Sequence, residues 1–119
     1  MKKLLLVTTI TALTMTSIVT APKAQAADIA QSVCEYVAAD DKKRMRSFLK
    51  SNKLKIRNIF SGIMCNGQNL LEFAANKGSV KTGSLMISKL PKSTVSENLA
   101  LIQNGSQPLI DAANERVSS

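Results

Sequence analysis

The sequence predicts an all-α protein in which helix pairs stack on one another and are pinned by one disulfide. Three observations support this prediction: apolar residues recur at helical spacing, a phrase of eleven residues occurs twice, and the chain has two cysteines. Helical spacing places apolar side chains on one face, which must pack against a neighbour. A repeat with a period in the thirties is typical of stacked helix pairs.

The first 26 residues have the pattern of a secretory signal peptide. A basic start, MKK, precedes an apolar run, and Ala24 and Ala26 form an A-x-A cleavage pattern. The alternative is a membrane anchor, but Thr and Ser dilute the run of about 17 residues, and no later segment is apolar enough to span a bilayer. We therefore predict a signal peptide over 1–26 and one helical domain over 27–119, periplasmic or secreted.

The two cysteines, Cys34 and Cys65, both lie in the part predicted to be exported. In an oxidising compartment, an even pair of cysteines predicts a disulfide. It would close a loop of about 30 residues and stabilise the fold by about 2–4 kcal/mol. The alternative is a pair of buried free thiols. A metal site is not predicted, because the chain has no histidine and two thiols do not complete a zinc shell.

Two amphipathic helices are predicted at the start of the exported part. The segment DIAQSVCEYVAA can begin at Asp28 as N-cap, and its apolar face consists of Ile29, Val33, Tyr36 and Val37. In the following segment, DDKKRMRSFLKS, Asp40 is the predicted N-cap because a carboxylate suits the positive end of the helix dipole. The apolar stripe of this second helix is narrow and consists of Met45, Phe48 and Leu49.

An irregular segment, 52–68, separates these helices from the rest. Its apolar residues fit neither helical nor strand spacing, which predicts an extended loop, alone or with a short strand or turn of helix, bent at Gly62 and Gly67. The helix NLLEFAANKG then begins at Asn69, whose side chain can cap it while Glu72 reaches back. It ends at Gly78, which can adopt the left-handed conformation.

Three further helices complete the chain. SVKTGSLMISKLP begins at Ser79 and stops at its proline, and Gly83 would allow a neighbouring helix to come close. STVSENLALIQNG begins with a capping box formed by Thr94 and Glu97, and SQPLIDAANERV begins at Ser106 with proline in its first turn. The predicted inward-facing residues are Val80, Met86, Ile87, Leu90, Leu109, Ile110 and Ala113.

The internal repeat aligns Asn66–Asn76 with Asn104–Asn114, and six of the eleven positions are identical. A weaker echo, VAAD, lies 36 residues before FAAN. In each copy the glycine is predicted to permit a tight turn into a helix, the leucine to anchor that helix in the core, and the paired alanines to admit a close neighbour.

The phrase NGQNLLEFAANKGSVKTGSLMISKL resembles an ankyrin repeat. The matching residues are Gly67, Leu71, Ala74, Ala75 and Gly78 in the first copy, and Gly105, Pro108, Leu109, Ala112 and Ala113 in the second. Asn69, Leu70 and Glu72 depart from the usual Thr, Pro and His. The resemblance covers about one full repeat plus partial ones and implies ankyrin-like packing; a generic disulfide-linked helical bundle is the alternative.

The exported part also resembles a family of small exported bacterial proteins of uncharacterised function. The residues that carry this resemblance are LKIRNI at 54–59 and CNGQNLLEFA at 65–74, with the two cysteines around them. The resemblance implies a helical periplasmic or secreted protein and implies no reaction.

Catalytic chemistry finds little support in the sequence. Without histidine there is no Ser-His-Asp or Cys-His arrangement. Ser47 and Lys50 form a Ser-x-x-Lys motif, but its companion motifs are missing. Asp40 and Asp41 are adjacent, which is typical of a helix start rather than of opposed catalytic carboxylates. We predict no catalytic residue, no cofactor and no enzyme.

The basic segment 42–57 is the predicted functional surface. It contains eight basic residues and no acidic one: Lys42, Lys43, Arg44, Arg46, Lys50, Lys53, Lys55 and Arg57. The whole chain has a net charge of +8, and Lys2, Lys3 and Lys23 lie in the predicted signal peptide, which leaves 13 basic and 8 acidic residues. The net charge of residues 27–119 is thus +5, and the excess of positive charge lies in the basic segment.

Two functions are compatible with these features. The first is a non-enzymatic interaction module that binds a protein partner, whose identity the sequence does not specify, through a surface of the stacked helices. The second is a binder of anionic envelope polymers through the basic segment, whose charges would speed up and strengthen such encounters at low salt. A third, simpler interpretation is a solvated helix face. Export and the scarcity of aromatic residues argue against nucleic acid as the partner.

Overall fold

The computed structural model describes the backbone of residues 21–119 and the side chains from residue 27 onward. Residues 1–20, most of the predicted signal peptide, lie outside the described residues. The α-helices are α1 (Ala21–Ala38), α2 (Lys42–Ser51), α3 (Ile56–Ile59), α4 (Leu70–Lys77), α5 (Val80–Lys89), α6 (Lys92–Asn98) and α7 (Gln107–Ser118). Two 3₁₀ helices span Phe60–Gly62 and Ala100–Ile102. The described part of the chain contains no strand, so the prediction of an all-α fold is confirmed.

Helix α5 lies at the centre of the packing. It contacts α4 and α7 most extensively and also touches α1, α2 and α3. Consecutive helices pack in pairs, α1 on α2, α4 on α5 and α6 on α7. One continuous core joins them, and the largest side chains that are fully buried in it include Met45, Leu70, Leu71, Met86, Leu90, Ile102 and Leu109. The prediction of packed helix pairs is therefore confirmed.

The predicted disulfide between Cys34 and Cys65 is present, and the two Cα atoms lie 5.8 Å apart. It joins the middle of α1 to a tight turn that precedes α4. In this turn Asn66 and Gly67 both have positive φ, 53° and 79°, as a type I′ turn requires. The backbone of Cys65 exchanges hydrogen bonds of 2.7 and 3.0 Å with Gln68, which closes the turn.

The leucine has the same role in both copies of the repeat, but the glycine does not. Leu71 and Leu109 are both fully buried, as predicted. Gly67 has a positive φ, whereas Gly105 does not, so the prediction of a glycine-dependent turn is wrong for the second copy. Gly105 is needed instead for contact, because a Cβ there would lie 2.8 Å from the Cβ of Ala75. The second copy therefore packs against an alanine of the first.

The predicted ends of α4 are confirmed. Asn69 accepts a hydrogen bond of 2.9 Å from the backbone N–H of Glu72, and Gly78 ends the helix with a left-handed φ of 69°. The amide of Asn69 also donates to Asn98 in α6, at 2.6 Å. No hydrogen bond from the Glu72 carboxylate back to Asn69 is present among the described residues.

Several predicted helix starts are wrong. Helix α1 does not start at Asp28, because the described residues before it, 21–27, are already helical and are mostly Ala, Gln and Lys, which favour helix. Helix α6 begins at Lys92, directly after Pro91, so Thr94 lies inside the helix and no capping box forms. The irregular segment 52–68 contains more helix than predicted, namely α3 and the 3₁₀ helix that follows it. Both place a buried aliphatic or aromatic residue, Ile56 or Phe60, in the core.

The caps of α2 and α5 both differ from the prediction. Asp41, and not Asp40, caps α2 by accepting a hydrogen bond of 3.0 Å from the N–H of Arg44. Asp40 has a left-handed φ of 53° and instead caps α5, accepting from the backbone N–H groups of Lys81 at 3.3 Å and Thr82 at 2.8 Å. The hydroxyl of Ser79, predicted to cap α5, donates to the carbonyl of Val37 at the end of α1. A side chain just after α1, Asp40, and one just before α5, Ser79, thus each satisfy free backbone groups of the other helix.

Replacing Asp40 with alanine is expected to lower the free energy of unfolding by about 1–2 kcal/mol. The variant loses the cap of α5 and puts alanine in a left-handed conformation that it disfavours. Asp41→Ala removes a cap from α2 alone and should cost about 1 kcal/mol or less. Asp40→Asn keeps an acceptor oxygen and should fall between wild type and Asp40→Ala. Urea denaturation measures all three; an Asp40→Ala variant as stable as wild type would contradict the assigned role.

Candidate functional site

Helix α2 presents its apolar stripe to the core and its basic residues to solvent. Met45 and Leu49 are buried, and the half-buried ring of Phe48 lies 5.5 Å from that of Tyr36 in α1. The burial of these residues fixes the rotation of α2 about its own axis, so its lysines and arginines must point away from the core. All eight basic residues of segment 42–57 are exposed.

An open groove of about 690 Å³ lies between α2, the segment 54–57 and α5. Its volume is within the range of small-molecule sites. The lining residues are Arg46, Ser47, Leu49 and Lys50 from α2, Leu54, Lys55, Ile56 and Arg57 from the following segment, and Leu85, Ser88 and Lys89 from α5. We call this feature the basic groove.

The basic groove carries five cationic side chains and is lined by no carboxylate. The salt bridge found among the described residues lies elsewhere, between the Nε of Arg44 and the Oδ2 of Asp41 at 3.5 Å. An exposed pair of this kind contributes about 0–1 kcal/mol to stability. Within the part of the chain that the structure describes, the five charges of the groove have no carboxylate within salt-bridge distance, and an anionic ligand would meet them without having to displace one.

A second depression, of about 590 Å³, lies on the other side of Arg46 and has mixed charge. It is lined by Ala39, Asp40, Asp41, Lys42, Lys43, Arg46, Ser47 and Lys81. Its two carboxylates cap α5 and α2, so they are part of the fold and remain in place. This depression is less suited to an anion than the basic groove, because two fixed negative charges lie beside its lysines.

The structure divides the predicted anion-binding residues into two sets. Four of them meet in the basic groove: Arg46, Lys50, Lys55 and Arg57. Lys42 and Lys43 line the mixed depression, Arg44 pairs with Asp41, and Lys53 lines neither of these two surfaces. A run of like charges in sequence is thus not a single cluster in space.

Lys89 and Ser88 in α5 also line the groove, and sequence reasoning missed both. They lie more than 30 residues after the basic segment. A single lysine in the last turn of a helix is also common, because it suits the negative end of the dipole. Nothing local in the sequence distinguishes Lys89 from other such lysines; the packing of α2 on α5 brings it to the groove.

The groove also contains the Ser-x-x-Lys pair. Ser47 and Lys50 both line the groove, and no hydrogen bond joins their side chains in the described part of the chain. Within residues 21–119 no group of three or more metal-ligating side chains comes together. None of the helices there combines the length and apolar character that crossing a bilayer requires.

Comparison with known proteins identifies a family. No curated protein and no solved structure matches the chain. A family model, described as protein of unknown function (DUF3718), matches residues 33–97, which is more than half of the chain. The matched segment includes both cysteines and every residue that lines the basic groove. The chain therefore belongs to this family of unknown function.

Proposed function

We propose that this protein is an exported, non-enzymatic binding protein that takes an anionic ligand in the basic groove. The observation that carries the proposal is the composition of the groove: five cationic side chains from three segments and no carboxylate. A concave site of one sign of charge attracts opposite charge more strongly than a flat surface of the same charge, because low-dielectric walls focus the field.

Export supports the choice of ligand. The N-terminal pattern that ends at Ala26 is that of a signal peptide. The Cys34–Cys65 disulfide is of a kind that persists in oxidising compartments. In the periplasm of a bacterium, or outside the cell, the abundant polyanions are envelope polymers such as lipopolysaccharide and teichoic acid. These polymers are the ligands that we propose.

A protein partner is a second candidate, favoured by exposed apolar side chains. Met64 and Leu101 are 58% and 43% exposed, and each lies just before a copy of the repeat. The proposed arrangement of α4 to α7 is ankyrin-like, supported by the paired packing of α4 on α5 and α6 on α7. Binding through these side chains would persist at high salt, whereas binding in the basic groove would weaken.

A pair of charge-matched variants tests the groove. The groove variant carries Lys50→Gln, Lys55→Gln and Arg57→Gln; the control carries Lys42→Gln, Lys43→Gln and Lys53→Gln, and each variant loses three positive charges. We expect the groove variant to bind lipopolysaccharide or heparin at least about tenfold more weakly, a loss of about 1.4 kcal/mol, and the control to lose about threefold or less. Binding is measured by titration calorimetry at low and moderate salt.

Both variants alter exposed side chains, so circular dichroism and the Tm should match wild type. Equal losses in the two variants would show that net charge alone drives binding and would reject the groove as the site. Wild-type protein that binds neither polyanion at low salt would reject the proposed function.

A further inference from the structure

The floor of the basic groove is apolar, although its rim is charged. Leu49, Leu54, Ile56 and Leu85 line it between the cationic side chains. Leu54 is half-buried, and the other three are anchored in the core with 8% or less of their surface exposed. The mixed depression on the other side of Arg46 has cations but no such floor, since its one aliphatic lining residue is Ala39.

The combination of rim and floor specifies an amphiphile rather than a purely hydrophilic polyanion. A sugar or phosphate polymer would use the cations but would leave the aliphatic floor in contact with water. An acyl chain would cover the floor, and each CH₂ removed from water favours binding. The aliphatic stems of Lys50 and Lys89 extend the apolar surface on which such a chain would lie.

We infer that the ligand of the basic groove is a phosphorylated acyl lipid, with its chain along the floor and its phosphate between Lys50 of α2 and Lys89 of α5. This inference rests on the proposed function and narrows its ligand from anionic polymers in general to their lipid-phosphate part. Arg46 and Arg57 at the rim can hold the remaining phosphate oxygens, because a guanidinium group matches phosphate with two parallel hydrogen bonds.

Size favours a lipid over an acidic amphipathic helix of a partner protein. A helix with its side chains is about 10 Å wide. A standard protein interface buries about 800 Å² on each side. The groove is lined by eleven residues, fewer than the roughly 20–30 that a standard interface supplies on each side, so it is small for such a helix and suits one acyl chain with its head group.

The test uses a series of single-chain lysophosphatidic acids with acyl chains of six, eight and ten carbons, all below their micelle concentration. Glycerol 3-phosphate supplies the head group alone, and a neutral ten-carbon monoacylglycerol supplies the chain alone. We expect affinity to rise by at least about tenfold from six to ten carbons, because full burial of one CH₂ is worth about fourfold and the groove is open on one side. The neutral lipid should bind at least about tenfold more weakly than its phosphorylated counterpart.

A matched pair of leucine variants locates the chain. Leu54→Gln adds a polar group to the floor and should flatten the dependence on chain length. Leu101→Gln makes the same change on an exposed leucine that does not line the groove and should leave that dependence unchanged.

The outcomes separate this inference from the proposed function. Measurable and equal affinity for glycerol 3-phosphate and the three lysophosphatidic acids would overturn the inference that the ligand is a lipid. It would leave the proposed anion site standing. Equal affinity for the neutral monoacylglycerol and the ten-carbon lysophosphatidic acid would overturn both the lipid-phosphate inference and the proposed anion site. An acidic amphipathic peptide that binds in the groove when none of the lipids does would overturn the lipid in favour of a protein partner.

Discussion

Replacement of Cys34 with serine is expected to lower the free energy of unfolding by about 2–4 kcal/mol. The disulfide links residues 31 apart and thereby restricts the unfolded chain. The loss is a large part of the total, because a domain of about 100 residues is stabilised by only about 5–15 kcal/mol. The variant also leaves the other thiol, Cys65, buried with 3% of its surface exposed.

Urea denaturation of wild type, Cys34→Ser and the double variant Cys34→Ser/Cys65→Ser measures this loss. The double variant controls for the unpaired thiol, and the two variants should differ by much less than either differs from wild type. Hydrogen exchange should locate the effect in α1 and α2, since the disulfide joins α1 to the turn before α4. Two alkylatable thiols in the wild-type protein isolated from its own cells without reduction would show that the bond does not form in the cell.

Leu109→Ala is expected to cost about 2–5 kcal/mol, and Leu71→Ala a similar amount. Both leucines are fully buried at equivalent positions of the repeat. The matched control is Leu101→Ala, which truncates an exposed leucine and should change stability by about 0.5 kcal/mol or less. If Leu109→Ala and Leu101→Ala had the same effect in urea denaturation, the packing of α7 on the core would be wrong.

Gly83 in α5 allows a second test of the contact between α5 and Leu109. A Cβ on Gly83 would lie 2.6 Å from the Cδ1 of Leu109 and 3.5 Å from the Cβ of Ala74. Gly83→Ala should therefore cost stability in wild type, or gain little, although alanine favours a helix by about 1 kcal/mol over glycine. In the Leu109→Ala background the new methyl group enters the vacated space and should stabilise. The double-mutant cycle is expected to give a coupling of about 0.5–3 kcal/mol.

The candidate site could be predicted in part from the chain alone. The basic segment 42–57 could be recognised because it has eight basic residues and no acidic one. Half of these basic residues line the groove. The other half point elsewhere because the turn of α2 about its axis is set by Met45 and Leu49 in the core, and Lys53 lies in the connection after the helix. The contribution of Lys89 and the apolar floor depends on α5, which is distant in sequence.

The helix caps show the same division within the fold. Asn69 and Gly78 could be assigned from sequence because each acts on backbone groups within about four residues of itself. Asp40 satisfies the predicted kind of group, free N–H groups, but on α5 instead of α2, and Ser79 donates to a carbonyl of α1 instead of capping α5, since the partners of both lie about 40 residues away. A short polar side chain near two helix ends has two possible partners, and only packing selects between them.

Residue order was therefore sufficient for whatever depends on spacing along the chain. This covers the helical class, the pairing of the two available cysteines, the repeated leucine anchors and the caps that act locally. The folded arrangement was required for whatever depends on contact between distant segments: the hydrogen-bond partners of Asp40 and Ser79, the close approach of Gly105 to Ala75, and the composition of the basic groove. The physical reason is that periodicity and capping are short-range effects, whereas the orientation of one helix on another is set by the shape of the whole core.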